Sequence, residues 1–218
     1  MPRKARIVVP EIPAHVVHRG NRKGNVFFDD WDRLRYLKTL SAYCERYRVE
    51  LWAYCLMTNH IHLLALPHTR TALAEAIGGA HGHYARTLNL RQGWSGHAWE
   101  NRFHSTLLDE RHLWSAVRYV ENNPVRAGMV RRAEDYRWSS ARAHCGQSAD
   151  PWLSIARPFP GAMDRWADWL RQDCEEPWSR LRVNSRTGNP SGSAEFIAKL
   201  SRLVGRPLEA RPRGLPRR

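Results

Sequence analysis

Residues 49–67 read VELWAYCLMTNHIHLLALP, which is two apolar runs separated by the polar pair Thr58-Asn59. Each run has the length and the apolar character of a strand in a protein core. The polar pair suits a short turn, and Pro67 suits the end of a strand because proline cannot donate a backbone hydrogen bond. We therefore predict an antiparallel β-hairpin with strands at 49–57 and 60–66.

The residues on either side of the hairpin predict a chain of mixed α and β structure. Runs that favour strands are followed by runs in which apolar residues recur at spacings of three and four, as on one side of a helix. The helix at 71–90 has three glycines in its middle, which weaken it there and allow a kink. The predicted elements are a strand at 14–19, a helix capped by Asp29 or Asp30, a helix at 71–90, a strand at 102–108 and a helix at 110–122.

The C-terminal third of the chain has weaker patterns. Short helical pieces are predicted beyond residue 133, one of them with Trp166, Trp169 and Leu170 as an apolar stripe. The polar stretch 184–193 is predicted to be a linker, and 195–204 a short amphipathic helix. The final RPLEARPRGLPRR mixes arginine with proline, so we predict a flexible basic tail.

The composition indicates a polyanionic partner. The chain has 35 Lys and Arg against 21 Asp and Glu, and its net charge of +14 creates a field that attracts nucleic acid. A basic protein with ordinary solvated charges is the alternative. No stretch is apolar over the roughly 20 residues of a membrane span. The N-terminal MPRKARIVVP also lacks an apolar signal core, so we expect a cytoplasmic protein with no membrane partner.

The four cysteines have no spacing typical of a metal site. Cys44, Cys55, Cys145 and Cys174 are far apart in the sequence and form no CxxC pair. This favours free thiols in a reducing compartment, and we predict that they are inert packing residues.

Two histidines in the second strand of the hairpin form a candidate metal site. His60 and His62 flank Ile61, and residues two apart on a strand point to the same face of the sheet. Two imidazoles would therefore converge on one side, held by a strand whose apolar residues anchor it in the core. Alternatively, the two histidines are satisfied by hydrogen bonds or solvent.

The helix at 110–122 carries a candidate nucleophile. Leu113, Val117 and Val120 define its buried stripe, and helical periodicity places Tyr119 beside that stripe. Asn123 follows four residues later, one turn above the phenol on nearly the same face, if the last turn persists up to Pro124. A boundary aromatic followed by a helix-ending asparagine is the alternative.

Three strings in this order and spacing resemble one family: TNHIHLLALP, ENRFHSTLLDE and VRYVENNPVRAGMV. They are similar to the REP-associated tyrosine transposases, single-tyrosine members of the HUH endonuclease superfamily. The similarity extends from the strand near His15 through the segment EDYRWSS, and more loosely over SAEFIAKLSRLVGRPL. It implies a ferredoxin-like antiparallel sheet with helices on one face. Together with the residue patterns above, this predicts an α+β fold with a mostly helical C-terminal extension and a basic tail. We divide the chain into a catalytic domain at 1–133, a helical extension at 134–183, and a linker, short helix and basic tail at 184–218.

The resemblance also implies the chemistry. His60 and His62 would be metal ligands, Tyr119 the nucleophile and Asn123 the third ligand, with Mg²⁺ or Mn²⁺ as the divalent cofactor. Imidazole ligands favour Mn²⁺ on softness. The implied activity is transposase-like cleavage and rejoining of single-stranded or hairpin DNA, such as palindromic repeats, through a 5′-phosphotyrosine. The family's terminal motif usually reads Gly-Arg-Pro, whereas this chain has Gly214, Leu215 and Pro216.

Several arginines and aromatic residues are candidate DNA contacts. Trp94, Trp99 and Phe103 could stack on unpaired bases or belong to the core. The arginines that we predict to bind DNA are Arg19, Arg102 and Arg126.

Two alternatives to this function remain open, together with the oligomeric state. One is a domesticated hairpin-binding protein that no longer cleaves DNA, and the other is a different HUH enzyme such as a replication initiator or relaxase. A pure DNA-binding protein has no need of all four candidate site residues, and 218 residues leave no room for the helicase typical of the other enzymes. The protein would act as a monomer or homodimer, and the sequence identifies no base that would activate Tyr119.

Overall fold

Four strands form one antiparallel sheet in the computed structural model, which describes residues 6–156, 165–172 and 176–208. The order across the sheet is β2-β3-β1-β4. Two helices complete a βαββαβ unit, which is the ferredoxin-like arrangement that was predicted. The elements are β1 at Ala14–Arg19, α1 at Asp30–Arg46, β2 at Val49–Met57, β3 at His60–Pro67, α2 at Ala72–Gln92 and β4 at His104–Leu107.

The predicted hairpin forms the edge and one central strand of this sheet. β2 pairs with β3 from Val49 opposite Pro67 to Met57 opposite His60, with one register shift inside β2. On its other side β3 pairs with β1, which places Val17 opposite His62. Because β3 is central, its backbone is held on both sides, and the side chains that it presents are rigidly placed.

The helices α1 and α2 pack side by side on one face of the sheet. Tyr36 and Tyr84 meet between them with ring centroids 5.4 Å apart. α2 runs without the kink that its glycines allowed. A Cβ atom at Gly79 would overlap the ring of Tyr43 on α1, so this glycine permits close approach of the two helices.

A third helix, α3 at Glu110–Glu121, covers the opposite face of the sheet. On β1, His15 and His18 point to opposite faces, since they are an odd number of residues apart. The His15 ring contacts Tyr119 of α3, whereas the His18 ring contacts His81 of α2. The two helices of the ferredoxin-like unit therefore share one face, and α3, which lies beyond that unit, covers the other.

The helix α3 begins and ends where the sequence predicts. The side chain of Asp109 accepts a hydrogen bond from the backbone N–H of His112 and caps the first turn. The helix ends at Glu121, and a short helix, α4 at Asn123–Arg126, follows with Pro124 in its first turn.

A buried carboxylate ties the C-terminal extension to α3. Glu121 is fully buried and accepts a hydrogen bond from Ser140 Oγ at 2.5 Å. Its other oxygen accepts one from Trp166 Nε1 at 2.8 Å, and His144 Nδ1 lies 2.5 Å from the first oxygen. These contacts fix α5 at Ala141–His144 and α6 at Trp166–Arg171 against the main domain.

The stretch 184–193 differs from the linker that was predicted. Helix α7, at Glu176–Thr187, includes its first residues, so the predicted boundary at 183 falls inside a helix. The backbone of Ser191 accepts a hydrogen bond from the N–H of Asp109 and donates one to the carbonyl of Leu107. These bonds attach the part of the stretch that follows α7 to β4. Its polar composition predicts a spacer, but composition does not reveal the backbone hydrogen bonds of Ser191 that hold this segment in place.

The last helix, α8, spans Ala194–Val204, as predicted, and the Ser193 side chain caps it by accepting from the backbone N–H of Phe196. The basic tail from residue 209 onward and Cys174 lie outside the described residues. Cys44 and Cys55 are buried free thiols, as expected for packing residues. Within the described ranges, no helix combines the length and apolarity needed to cross a membrane.

Candidate active site and nucleic-acid interface

His60 and His62 lie on the face of the sheet that α3 covers. Their ring centroids are 5.0 Å apart and the ring planes meet at 80°. Ile61 between them is fully buried on the other side of β3. The alternation expected of a strand therefore brings the two imidazoles together, as the sequence predicts.

One nitrogen of each imidazole is occupied by a neighbour. His62 Nδ1 lies 3.0 Å from His15 Nε2, and His60 Nδ1 lies 2.7 Å from Asn59 Oδ1. Within the described part of the chain, neither Nε2 atom has a hydrogen-bond partner. Because a histidine binds metal through one nitrogen while the other donates a hydrogen bond, this arrangement leaves the Nε2 pair for an ion.

Burial keeps both histidines neutral. Desolvation, with a smaller contribution from the charge of Arg19, lowers the pKa of His60 to about 4. Desolvation likewise puts the pKa of His62 well below its ordinary value, with smaller effects from His15, His60 and nearby arginines. A neutral imidazole has the free lone pair that a metal ligand needs.

Tyr119 of α3 faces His62, and Asn123 follows one turn later at the start of α4. The Tyr119 ring stands edge-on to His62, with centroids 5.4 Å apart. The amide nitrogen of Asn123 donates to the backbone carbonyl of Tyr119 at 2.8 Å and also faces that of Val120. Because the amide nitrogen of Asn123 is turned toward the helix, its side-chain carbonyl oxygen is the atom that remains available to a ligand.

These donors suit a hard or borderline divalent ion. Two imidazole nitrogens and one amide oxygen form a mixed N and O set of the kind that Mn²⁺ and Mg²⁺ accept. A cluster of three or more His, Cys, Asp or Glu side chains placed to hold a metal does not occur among the described residues. The third donor of the predicted set is the amide oxygen of Asn123.

The four residues open into one cavity of about 510 Å³. We call it the basic cavity, because Glu100 is the only carboxylate of the described residues that line it, against five basic side chains. Such a surplus of positive charge in a concave site attracts phosphate groups. The five basic side chains are Arg19, Lys23, Arg126, Arg182 and Arg186.

The predicted DNA contacts divide into two groups. Arg19 and Arg126 line the basic cavity, whereas Arg102 lies outside it, beside Arg6. Burial lowers the pKa of Arg6 to about 10, and the charge of Arg102 contributes to this shift.

The candidate stacking residues also divide. Trp99 and Phe103 are buried in the core, and only Trp94 of the three is exposed, by 51%.

Sequence reasoning missed the contribution of α7. Arg182, Ser185 and Arg186 of this helix line the basic cavity, and the Trp178 ring packs against Tyr119 with centroids 6.2 Å apart. The spacing of four between Arg182 and Arg186 could have indicated a shared helix face. Nothing in the sequence indicated which surface that face would cover.

His15 was likewise missed. It pairs across the sheet with Leu64, so its ring reaches His62 as a diagonal neighbour, a contact that depends on the strand register.

The sequence model of one protein family, described as "Transposase IS200 like", matches residues 8–123. This range includes all four candidate site residues and ends at Asn123. The chain is also 32% identical over 114 residues to a Haemophilus influenzae protein named as a candidate REP-associated tyrosine transposase. That match covers 46% of this chain and 65% of the relative, so it spans slightly under two thirds of the relative's length.

A solved structure, that of a REP-associated tyrosine transposase bound to a REP hairpin, is similar with a TM-score of 0.54. The two chains are 16% identical, and the similarity covers 75% of this chain and 96% of the other. At this identity the likeness supports the fold.

Proposed function

This chain belongs to the IS200-like transposase family, and we propose that it is a metal-dependent endonuclease and strand transferase that cleaves and rejoins single-stranded or hairpin DNA. One observation carries the proposal. His60, His62, Tyr119 and Asn123 all line one basic cavity. A protein that only binds DNA has no need of this combination.

Three residues would hold the divalent ion, Mg²⁺ or Mn²⁺. His60 and His62 would offer Nε2, and Asn123 its carbonyl oxygen, since their other polar atoms are engaged by the protein. A bound divalent ion withdraws negative charge from a phosphodiester and orients it for in-line attack. The imidazole donors favour Mn²⁺, although Mg²⁺ also accepts such a set.

Tyr119 is the proposed nucleophile. Its phenol oxygen attacks the phosphorus, the new bond joins that oxygen to phosphorus, and the bond from phosphorus to the 3′-oxygen breaks. The phenol gives up its proton, and the departing 3′-oxygen gains one. The products are a 5′-phosphotyrosine and a free 3′-hydroxyl, and the reverse reaction rejoins the strand without ATP.

The basic side chains of the cavity would hold the DNA backbone. Arg19 and Arg126 line the cavity, and the charges of both act on His62, whereas Arg102 could contact a phosphate outside the cavity. Tyr119 is only 7% exposed, so the scissile phosphate must enter the cavity to reach the phenol. An unpaired strand can do so more readily than a stacked duplex, because its backbone is free to bend.

A hairpin with a short single-stranded segment is the proposed substrate. The similar solved structure is described as bound to a REP hairpin, which supports a folded palindrome as the partner of this chain as well. The net charge of +14 also supports a polyanionic partner.

The proposal is tested by incubating the full chain with a labelled hairpin DNA and Mn²⁺ or Mg²⁺. We expect a protein–DNA adduct that survives denaturation in the wild type and is absent from Tyr119→Phe, which differs by one hydroxyl. Hairpin binding by that variant should stay within a few fold. Tight hairpin binding without any adduct in the wild type would instead favour the non-cleaving DNA-binding protein.

A further inference from the structure

A row of three buried side chains connects α7 to the proposed metal site. Ser185 Oγ lies 2.9 Å from His15 Nδ1, and His15 Nε2 lies 3.0 Å from His62 Nδ1. His15 is fully buried and Ser185 is 8% exposed. The His15 and His62 rings are nearly parallel, at 7°, and their centroids are 5.2 Å apart. Rings stacked face to face would have closer centroids. The observed centroid separation instead fits two rings in nearly the same plane, joined by a hydrogen bond between their nitrogens.

We propose that Ser185 and His15 are positioning residues that determine which ring nitrogen of His62 carries its proton. This inference rests on the proposed function, in which His62 binds a divalent ion through Nε2. It extends the site beyond the residues that touch the ion, and it makes α7 part of that site.

The number of protons in the row limits its hydrogen bonds. A neutral imidazole has one N–H donor and one acceptor nitrogen, and the complete burial of His15 disfavours a second, charging proton on its ring. Only one proton can lie between His15 Nε2 and His62 Nδ1. The hydrogen bonds of the row can therefore run in either of two directions. One direction leaves a lone pair on His62 Nε2, and the other leaves a proton there.

In the first direction, His62 Nδ1 donates to His15 Nε2, and His15 Nδ1 donates to Ser185 Oγ. The lone pair of His62 then lies on Nε2, where the ion would bind. In the second direction, Ser185 donates to His15, and His15 Nε2 donates to His62 Nδ1. His62 then carries its proton on Nε2, which blocks metal binding.

The hydroxyl of Ser185 makes the first direction available, because it offers a buried acceptor to His15 Nδ1. If the hydroxyl were removed, a proton on His15 Nδ1 would have no acceptor, and a buried unpaired donor is unfavourable. The proton of His15 would then move to Nε2, and His62 would adopt the tautomer that cannot bind metal.

Other contacts of α7 agree with a role in the site. Trp178 packs on Tyr119, and the Arg126 guanidinium carbon lies 5.1 Å from the centroid of the Trp178 ring. Arg182 and Arg186 line the cavity beside Ser185. This helix lies outside residues 8–123, the segment that the transposase family matches.

The test is the affinity of the full chain for Mn²⁺ without DNA, measured by titration with electron paramagnetic resonance. Ser185→Ala should weaken Mn²⁺ binding by about 10-fold, as expected when the partner of a metal-binding histidine is disturbed. His15→Leu should weaken it by about 10- to 100-fold. His15→Gln should retain near wild-type affinity, because its side-chain oxygen can accept from His62 Nδ1.

Two controls separate this role from a loss of folding. Thr187→Ala removes an exposed hydroxyl from the same helix and should leave Mn²⁺ affinity unchanged. Circular dichroism and the thermal midpoint should show that each variant is folded. In ¹⁵N-histidine spectra of the metal-free chain, His62 should carry its proton on Nδ1 in the wild type and on Nε2 in Ser185→Ala.

The outcomes distinguish this inference from the proposed function. If the wild type binds Mn²⁺ and the folded variants Ser185→Ala and His15→Leu bind it with the same affinity, the role of the row is overturned. The metal site would then still stand. Failure of the wild type to bind Mn²⁺ would overturn both. Loss of affinity in His15→Gln equal to that in His15→Leu would also contradict the inference.

Discussion

The guanidinium carbon of Arg126 lies 4.8 Å from the centroid of the Tyr119 ring. This cation–π contact joins the last residue of α4 to the proposed nucleophile. Arg126 is exposed and lines the basic cavity, so its charge can act on both the Tyr119 ring and a phosphate that enters. It can therefore orient Tyr119 and stabilise charge on the phosphate during attack.

We expect Arg126→Ala to slow adduct formation by about 100-fold, the order of effect seen when one group that stabilises developing charge is removed. Arg126→Lys should restore only part of the rate, because lysine retains the charge but lacks the planar group that stacks on tyrosine. The measurement is the single-turnover rate of adduct formation at saturating protein.

Arg46→Ala is the matched control, since Arg46 lies at the end of α1 on the other face of the sheet. Equal rates for Arg126→Ala and wild type would show that the contact with Tyr119 does not assist the reaction.

His60→Ala should remove metal-stimulated cleavage. The rate of metal-stimulated cleavage should fall by more than the roughly 10- to 100-fold expected when a partner of a metal ligand is disturbed, because here the ligand itself is removed. Cleavage is measured with and without a chelator, over a titration of Mn²⁺. His97→Ala, at an exposed position, serves as the control. Cleavage that persists under chelation in the wild type would exclude the metal from the reaction.

The arginines of α7 should contribute to DNA binding through charge. The double variant Arg182→Ala, Arg186→Ala should weaken hairpin binding. The slope of log affinity against log salt concentration should also fall by about 2 in magnitude, because each phosphate that the protein no longer neutralises removes roughly 0.9 from the slope. Fluorescence anisotropy over a range of salt concentrations gives the slope. A slope equal to that of Arg46→Ala would mean that α7 does not touch phosphate.

Two buried histidines on the other face should make stability depend on pH. His18 Nδ1 and His81 Nδ1 lie 2.6 Å apart, and His81 Nε2 lies 2.8 Å from the Tyr36 hydroxyl. Burial lowers the pKa of His18 to about 4 and puts the pKa of His81 well below its ordinary value. Both stay neutral in the folded protein over a range in which the unfolded chain takes up protons.

The free energy of unfolding should therefore fall as the pH decreases from about 6.5 to about 4, because the unfolded state binds more protons there. Each such histidine contributes at most about 1.4 kcal/mol per pH unit. Urea denaturation over this range measures the dependence. His81→Gln should make it shallower, and His97→Gln should not. Stability that rises on acidification would contradict the neutral, buried state.

Local patterns predict both halves of the proposed site. The strand alternation that places His60 and His62 on one face, and the four-residue spacing that places Asn123 one turn after Tyr119, each depend only on neighbouring residues. The sequence patterns do not specify that the two halves meet. Their meeting depends on α3 packing on the face opposite α1 and α2, which is a tertiary property.

The contribution of the C-terminal region could not be predicted for the same reason. Residues 184–193 are polar, and polar composition alone does not distinguish a spacer from a segment that pairs with β4 through its backbone. The role inferred for Ser185 depends on its contact with His15, which is 170 residues away in the sequence. No local sequence pattern predicts such a contact.

The most direct test of the account is to find which end of the cleaved DNA remains on the protein. A hairpin substrate is labelled at the 3′ end in one sample and at the 5′ end in another, and each is incubated with the metal and the full chain. We predict that the 3′ label remains in an adduct that survives denaturation, that the 5′ label leaves with a free 3′-hydroxyl, and that Tyr119→Phe forms no adduct. An adduct that retains the 5′ label, or one that persists in Tyr119→Phe, would contradict attack by Tyr119 to form a 5′-phosphotyrosine.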